Sequence, residues 1–302
     1  MAIEVLRTPE SRFANVPDFD FPLAYVKDLP GYEGLRGAYI DAGPQEADRV
    51  FLCLHGEPTW SFLYRRMIPT FLKTGARVIA PDLLGFGRSD KPVDDDVYNF
   101  DFHRNYLLEL IEHLDLKNIT LVVQDWGGIL GLTLPVDRQF RTRLSRLLVM
   151  NTTIGNGTCP SDGFIGWRDY VAATPDLPCG PVIARGTRHL TDAEIAAYDA
   201  PFPDIKYKAG VRRFPQMVPI APDMQGVDLG KKAETYWRQE WGGPSFMAVG
   251  AADPVLGGPV MDQLRQNIRG CPEPLVIEDA GHFVQEWGGH VAHAALESFG
   301  DI

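Results

Sequence analysis

Cysteine is scarce in this 302-residue chain, and no long apolar run is present. The four cysteines, Cys53, Cys159, Cys179 and Cys271, lack the spacing of metal ligands, so we expect no metal site. A disulfide between Cys159 and Cys179 stays an open alternative, although disulfides are rare in the cytoplasm. No segment approaches the roughly 18 apolar residues that span a bilayer, and no signal-peptide pattern opens the chain. We therefore expect a soluble cytoplasmic protein that does not enter the membrane.

Basic residues are fewer than acidic ones. The chain has 29 Lys and Arg and 40 Asp and Glu, which gives a net charge of −11. Nucleic-acid binding needs clustered positive charge, so this balance argues against nucleic acid as a partner. The hydrophobic fraction of 45% is ordinary for a globular protein. A chain of this length can bury a sizeable core without metal or disulfide.

Short apolar runs alternate with helical patterns, which is typical of a parallel sheet with crossover helices. Their near-continuous hydrophobicity predicts strands covered on both faces. A segment at 35–41 alternates more and predicts an antiparallel edge strand. Apolar residues at three- and four-residue spacing predict helices over 102–114 and 291–299. The predicted strands of the main sheet are 50–54, 77–80, 119–123, 147–150, 246–249 and 274–277.

One interval has no convincing strand and is rich in Gly, Pro and aromatic residues. Helical patterns within it lie near 192–198 and 233–241, so we interpret it as a helical cap above the sheet. The predicted organisation is a first part of the core at 1–153, the cap at 154–243 and a second part of the core at 244–302.

Asp125 stands directly after the predicted strand 119–123 and before Trp126 and two glycines. A strand, one exposed residue, glycines and then a helix form the geometry of a nucleophile elbow. The helix N-terminus beneath Asp125 favours an ionised carboxylate. The pattern therefore predicts that Asp125 is a nucleophile.

Two further residues follow strands in the order that this fold uses, with Asp253 first and His282 after it. A histidine oriented by a carboxylate is a general base near neutral pH. The loop that contains Glu57 follows another buried strand, and such a loop donates a backbone N–H to an oxyanion hole. The backbone N–H of Trp126 would be the second donor.

A carboxylate nucleophile restricts the electrophile. Its attack on saturated carbon gives an alkyl ester, which a water activated by His282 can hydrolyse. Attack on an acyl carbon would give an anhydride, so Asp125 points to haloalkanes, haloacids or epoxides. Indole N–H groups suit a halide leaving group, because they only donate and carry large apolar bodies. Trp126 and Trp167 are available for that role, while an epoxide would need an acid such as Tyr170 or one of two further cap tyrosines, Tyr198 and Tyr207.

The sequence resembles the haloalkane dehalogenases, specifically the subfamily whose founding member degrades dichloroethane. The most specific match is His-Gly-Glu-Pro at 55–58 joined to Gln-Asp-Trp-Gly-Gly at 124–128; segments 80–92 and 279–286 also match. Related epoxide hydrolases usually carry an aromatic residue in place of Glu57. The likeness covers almost the whole chain and is weakest in the cap.

The resemblance implies an α/β-hydrolase fold, with a mostly parallel sheet flanked by helices and a helical cap. It also implies hydrolysis of small haloalkanes to a primary alcohol, halide and proton through an alkyl-aspartate ester, with water and no cofactor. Epoxide hydrolysis by the same triad, and a non-catalytic receptor of this fold, remain alternatives. Fluoroacetate dehalogenation is disfavoured, because that chemistry generally places arginines beside the nucleophile. The implied roles are Asp125 as nucleophile, His282 as base, Asp253 as orienting acid, Glu57 and Trp126 as backbone donors of the oxyanion hole, Trp126 and Trp167 as the halide-binding pair, and Phe164, Phe214, Pro215, Val218, Leu256 and Phe283 as the substrate pocket.

Overall fold

The computed structural model describes residues 3–302 and contains two sheets. Eight strands form the main sheet, in the order β10-β9-β8-β7-β4-β5-β3-β2, and β1 pairs with β6 in the small one. In chain order the strands are β1 (Val5–Leu6), β2 (Leu23–Lys27), β3 (Arg36–Ala42), β4 (Val50–Leu54), β5 (Arg77–Pro81), β6 (Lys91–Pro92), β7 (Ile119–Val123), β8 (Leu144–Met150), β9 (Ser245–Gly250) and β10 (Leu275–Ile277).

The six strands from β10 to β5 are parallel, whereas β3 and β2 are antiparallel to their neighbours. This mostly parallel sheet confirms the predicted fold class. The prediction that 35–41 lies at the edge is wrong, because β2 pairs outside β3. Four of the five β2 side chains are only partly buried or exposed, so no apolar run marks this strand in the sequence.

Eleven α-helices surround the sheet within residues 3–302. Those near the sheet begin and end close to the predicted bounds, since α2 covers the stripe predicted at 102–114 and α11 covers 291–299. In chain order the helices are α1 (Ile68–Leu72), α2 (Phe100–His113), α3 (Asp125–Gly131), α4 (Arg138–Arg143), α5 (Asp162–Ala173), α6 (Cys179–Gly186), α7 (Asp192–Asp199), α8 (Ala209–Met217), α9 (Val227–Thr235), α10 (Gly258–Asn267) and α11 (Gly288–Phe299).

Successive side chains of β4 enter different hydrophobic clusters on the two faces of the sheet. Leu52 and Leu54 pack in the cluster that includes α2, and Phe51 and Cys53 pack in the one that includes α1 and α11. Alternation of side chains along a strand causes this division. All four are buried, and each large apolar side chain so buried contributes about 1.5–3 kcal/mol to folding. The sheet is therefore a rigid platform on which the residues after its strands are held.

Helices α5 to α9 fill the interval between β8 and β9. The helix predicted near 192–198 is α7, and the one predicted at 233–241 begins earlier, as α9, and ends in a π-helical turn at Tyr236–Glu240. Sequence reasoning did not place α5, α6 or α8, because each contains Gly or Pro residues that weaken a helical pattern. The division of the chain at 154 and 243 stays a prediction.

The four cysteines are free thiols. Cys159 is exposed, whereas Cys179 is buried at the start of α6, so the alternative of a bridge between them is wrong. Burial raises the pKa of the Cys53 and Cys179 thiols, which keeps them protonated. No helix between residues 3 and 302 combines the length and hydropathy that crossing a membrane requires.

Candidate active site

Asp125 lies in the tight turn between β7 and α3. Its φ of 50° is in the left-handed region, which is strained for a residue other than glycine. Two hydrogen bonds fix this backbone, from the Asp125 N–H to the Asn151 carbonyl at 3.0 Å and from the Thr152 hydroxyl to the Asp125 carbonyl at 2.7 Å. A side chain at Gly127 would overlap the Leu54 carbonyl, so only glycine lets α3 begin this close to β4. The turn thus holds the carboxylate at the carboxyl edge of the sheet.

The two oxygens of the Asp125 carboxylate have different neighbours. The backbone N–H of Glu57 donates to Oδ1 at 2.7 Å, and Nε2 of His282 lies 3.3 Å from Oδ2. A Cβ at Gly56 would collide with Oδ1, so the glycine is required for this approach. One oxygen is therefore held by the loop after β4, and the other faces the histidine.

Asp253 follows β9 and holds the far side of the imidazole. Its Oδ2 is 2.8 Å from Nδ1 of His282 and accepts a 2.8 Å hydrogen bond from the Asn151 amide, while the backbone N–H of Val255 donates to Oδ1 at 2.8 Å. Burial opposes ionisation of Asp253, but the His282 charge and these three donors outweigh it and lower the pKa of the carboxyl. Asp253 is therefore a fixed, ionised partner of His282.

The imidazole of His282 lies between two carboxylates. Burial disfavours its charged form, yet the charges and hydrogen bonds of Asp253 and Asp125 prevail and raise the pKa of His282 to about 10. The two neighbouring carboxylates therefore favour the imidazolium form of His282 at neutral pH.

Asn151 is a residue of this site that sequence reasoning missed. Its amide donates to Asp253 and to the Gly250 carbonyl, and its side-chain oxygen accepts from the Gly250 N–H, while its backbone carbonyl holds Asp125. One side chain thus joins the ends of β8 and β9. Asn151 is a polar residue directly after a predicted strand, which is the same signal that identified Asp125 and Asp253.

A cavity of about 320 Å³ opens beside the Asp125 carboxylate. Such a volume suits a small organic molecule. The carboxylates of Glu57, Asp125 and Asp253 lie at this cavity, as does His282. Its other lining residues include Trp126, Ile129, Thr153, Pro160, Phe164, Trp167, Val182, Arg185, Pro215, Val218, Val255, Leu256 and Phe283.

Phe214 is the one predicted pocket residue that does not line the cavity, and its assignment is wrong. It is fully buried, with its ring centroid 4.8 Å from that of Trp126 and 4.7 Å from that of Phe86. The next residue in α8, Pro215, faces the cavity instead. Phe214 therefore supports Trp126 from behind.

Two indole rings and one carboxyl group line the cavity near Asp125. Trp60, Trp237 and Trp241 donate their indole N–H groups to protein oxygens, but within residues 3–302 the N–H of Trp126 has no such acceptor. The indole of Trp167 lies beside the Glu57 carboxyl. Burial and the nearby Asp125 charge raise the pKa of Glu57 well above its usual value, which favours the neutral form of this carboxyl.

The three cap tyrosines considered for epoxide opening are not among the residues that line this cavity. Tyr198 is buried and donates to Glu286, Tyr170 accepts a 3.1 Å hydrogen bond from Arg185, and Tyr207 packs against the main core. Across residues 3–302, no group of three or more His, Cys, Asp or Glu side chains is placed to hold a metal ion.

Comparisons with known proteins agree with this geometry. The family model of the alpha/beta hydrolase fold matches residues 49–289. A haloalkane dehalogenase from Psychrobacter cryohalolentis is 41% identical to this chain, and the match covers 98% of each protein. One from Mycolicibacterium paratuberculosis is 40% identical, and the match covers 94% of each protein. The tetrameric haloalkane dehalogenase DpaA from Paraglaciecola agarilytica NO2 is 54% identical, with a TM-score of 0.96 over 99% of this chain and 100% of that one. The chain therefore belongs to the haloalkane dehalogenases of the α/β-hydrolase fold, which are hydrolases that act on carbon–halide bonds.

Proposed function

We propose that Asp125 is the nucleophile of this dehalogenase, His282 its general base and Asp253 the acid that orients the base. An Oδ atom of Asp125 attacks the halogen-bearing carbon, and the electron pair of the carbon–halogen bond leaves with the halide. The product of this step is an alkyl ester on Asp125. Because a carboxylate is already ionised, this step needs no base.

Hydrolysis of the ester needs His282. Nε2 takes a proton from water, and the water oxygen attacks Cγ of Asp125 to give a tetrahedral oxyanion, which the backbone N–H groups of Glu57 and Trp126 stabilise. The 2.7 Å hydrogen bond from Glu57 supports this role. Collapse breaks the bond between Cγ and the alkyl oxygen, and the alcohol takes the proton held by His282. Asp125 then loses its new proton to solvent, so one haloalkane and one water give an alcohol, a halide and a proton.

The halide assignment depends on one observation: Trp126 lines the cavity beside Asp125, and its indole N–H has no protein acceptor within residues 3–302. A halide ion beside Asp125 could accept from this N–H, because an indole N–H only donates and belongs to a large apolar side chain. We assign Trp126 and Trp167 as the halide-binding pair. Phe164, Pro215, Val218, Leu256 and Phe283 form the apolar wall around the alkyl chain, as their place in the cavity lining supports.

Trapping of the ester tests these roles. His282→Phe treated with 1-bromobutane should accumulate one butyl group on Asp125, found by mass spectrometry of the intact protein and its peptides. Asp125→Asn should stay unmodified, and His290→Phe, at an exposed position of α11, should turn over without an adduct. An adduct on another residue would refute the nucleophile assignment. Well-folded protein that releases no halide from 1-bromobutane or 1,2-dibromoethane would refute the activity.

A cytoplasmic location and the absence of a nucleic-acid partner stay predictions. Cell fractionation and a binding assay with duplex DNA at low salt would test them.

A further inference from the structure

One arginine stands in the wall of the cavity and has no part in the reaction proposed above. Arg185 is the only Lys or Arg among the lining residues, and it is exposed. Of the residues from 3 to 302, no carboxylate forms an ion pair with it. An arginine that lines a substrate cavity and has no carboxylate partner is a candidate anion site, since its guanidinium presents several hydrogen-bond donors to a carboxylate.

Contacts on two sides hold Arg185 in place. Its Nη2 donates to the Tyr170 hydroxyl at 3.1 Å, and its guanidinium carbon lies 5.3 Å from the centre of the Tyr170 ring. The next residue, Gly186, accepts a 3.3 Å hydrogen bond from the N–H of Gly281, directly before His282. Arg185 therefore belongs to a part of the cap that is fixed to the catalytic loop.

A row of side chains leads from the halide pair to this arginine. Trp167 and Tyr170 lie three residues apart on one face of α5, with ring centres 6.0 Å apart, and Tyr170 contacts Arg185. The Asp125 and Asp253 carboxylates also line the cavity and oppose the approach of a substrate carboxylate, whereas the exposed guanidinium of Arg185 attracts one. The charge distribution is that of a site for a molecule with a neutral reactive end and a distant negative end.

We propose that Arg185 is a specificity-determining residue that binds the carboxylate of an ω-halocarboxylate, whose halogen-bearing carbon lies at Asp125. This inference rests on the proposed function. A haloacetate would hold its carboxylate within a few ångströms of Asp125 and be repelled, while a longer acid spans the cavity and reaches Arg185. Haloalkanes with a terminal carboxylate are thus expected among the good substrates.

Paired substrates of equal length test the proposal. The ratio of kcat/KM for 6-bromohexanoate to that for 6-bromohexanamide should fall about five-fold in Arg185→Gln, the effect of an exposed ion pair, and recover in part in Arg185→Lys. Arg188→Gln, which removes an exposed arginine that does not line the cavity, should keep the wild-type ratio. In wild type the ratio should fall with added salt and rise from 4-bromobutanoate to the longer acids.

Three results would overturn the proposal. An equal loss for the acid and the amide in Arg185→Gln would make the residue structural. An equal loss of the ratio in Arg188→Gln would make the effect a general one of surface charge. A fall in kcat for the amide alone would assign Arg185 to release of halide instead. Turnover of the amide by every variant would show that the dehalogenase function is intact, so failure of this proposal can be distinguished from failure of the proposed function.

Discussion

Replacing Asp125 by asparagine removes one of the two negative charges that flank His282. The affected atoms, Nε2 of His282 and Oδ2 of Asp125, are 3.3 Å apart. At that distance two unit charges attract by about 1 kcal/mol at the dielectric constant of water and about 5 kcal/mol at an effective value of 20. These energies correspond to about one to four pKa units. The pKa of His282, raised to about 10 in the wild type, should therefore fall to between about 6 and 9 in Asp125→Asn.

NMR titration of the imidazoles measures this shift directly. The chain has seven histidines, and the signal of His282 is the one missing from His282→Phe. Asp253→Asn should lower the same pKa at least as much, because Asp253 lies closer, at 2.8 Å. Asp169→Asn, at an exposed position of α5, should leave it unchanged. A His282 pKa that is equal in wild type and Asp125→Asn would refute the reasoning.

The same charge is lost during catalysis, when Asp125 becomes an uncharged ester. The imidazolium of His282 then gives its proton to solvent and becomes a base only after the halide has left; His282 takes up a proton again when Asp125 is re-ionised. In rapid-quench experiments the alkylation rate should vary little between pH 6 and pH 9, while the hydrolysis rate should rise with pH to a midpoint at least about one unit below 10. An identical midpoint for both steps would contradict this sequence of events.

Three further changes have definite expected outcomes. Trp167→Phe should weaken bromide binding about ten-fold or more, measured by fluorescence quenching, because an N–H donor to an anion is lost. Glu57→Gln should stabilise the protein, because ionising the buried acid opposes folding. The gain in the free energy of unfolding should begin above the unfolded-state pKa and grow by up to about 1.4 kcal/mol per pH unit until the raised folded-state pKa is reached. A gain in urea unfolding that does not depend on pH would contradict this. Glu286→Gln removes the negative charge of a buried ion pair with Arg65 at 2.7 Å, and should lower the free energy of unfolding by about 3–5 kcal/mol in the same assay. Lys117→Gln, in an exposed ion pair, should lower it by less than about 1 kcal/mol. Equal losses in the two variants would contradict this difference.

The sheet was predictable from the sequence because burial on both faces requires continuous apolar runs, as in Ile119–Val123. Strand β2 was not, since it lies at the edge of the sheet and carries side chains that are only partly buried. The positions of Asp125, Asp253 and His282 could be inferred because residues after parallel strands meet at one edge of the sheet, whatever the details of packing.

The cap was much less predictable. Phe214 and Pro215 are neighbours in α8, yet one packs behind Trp126 and the other lines the cavity. Which face of a cap helix meets the cavity depends on how that helix lies on the core, and the spacing of its residues does not determine this. Arg185 could not be placed at the cavity for the same reason.

The ionisation state of each carboxyl group is the property of this site that is hardest to predict from the sequence. Glu57, Asp125 and Asp253 all line one cavity, and all carry the same functional group. Asp253 accepts hydrogen bonds from His282, Asn151 and the Val255 backbone, and its pKa is lowered. The Oε1 atom of Glu57 is buried without a hydrogen-bond partner within residues 3–302, and its pKa is raised. Burial, the neighbouring charges and the donors around each carboxyl, which only the folded chain determines, therefore decide which acid is charged. It follows that a mutation of Asn151, whose side chain does not line the cavity, should change the chemistry through the pKa values of Asp253 and His282.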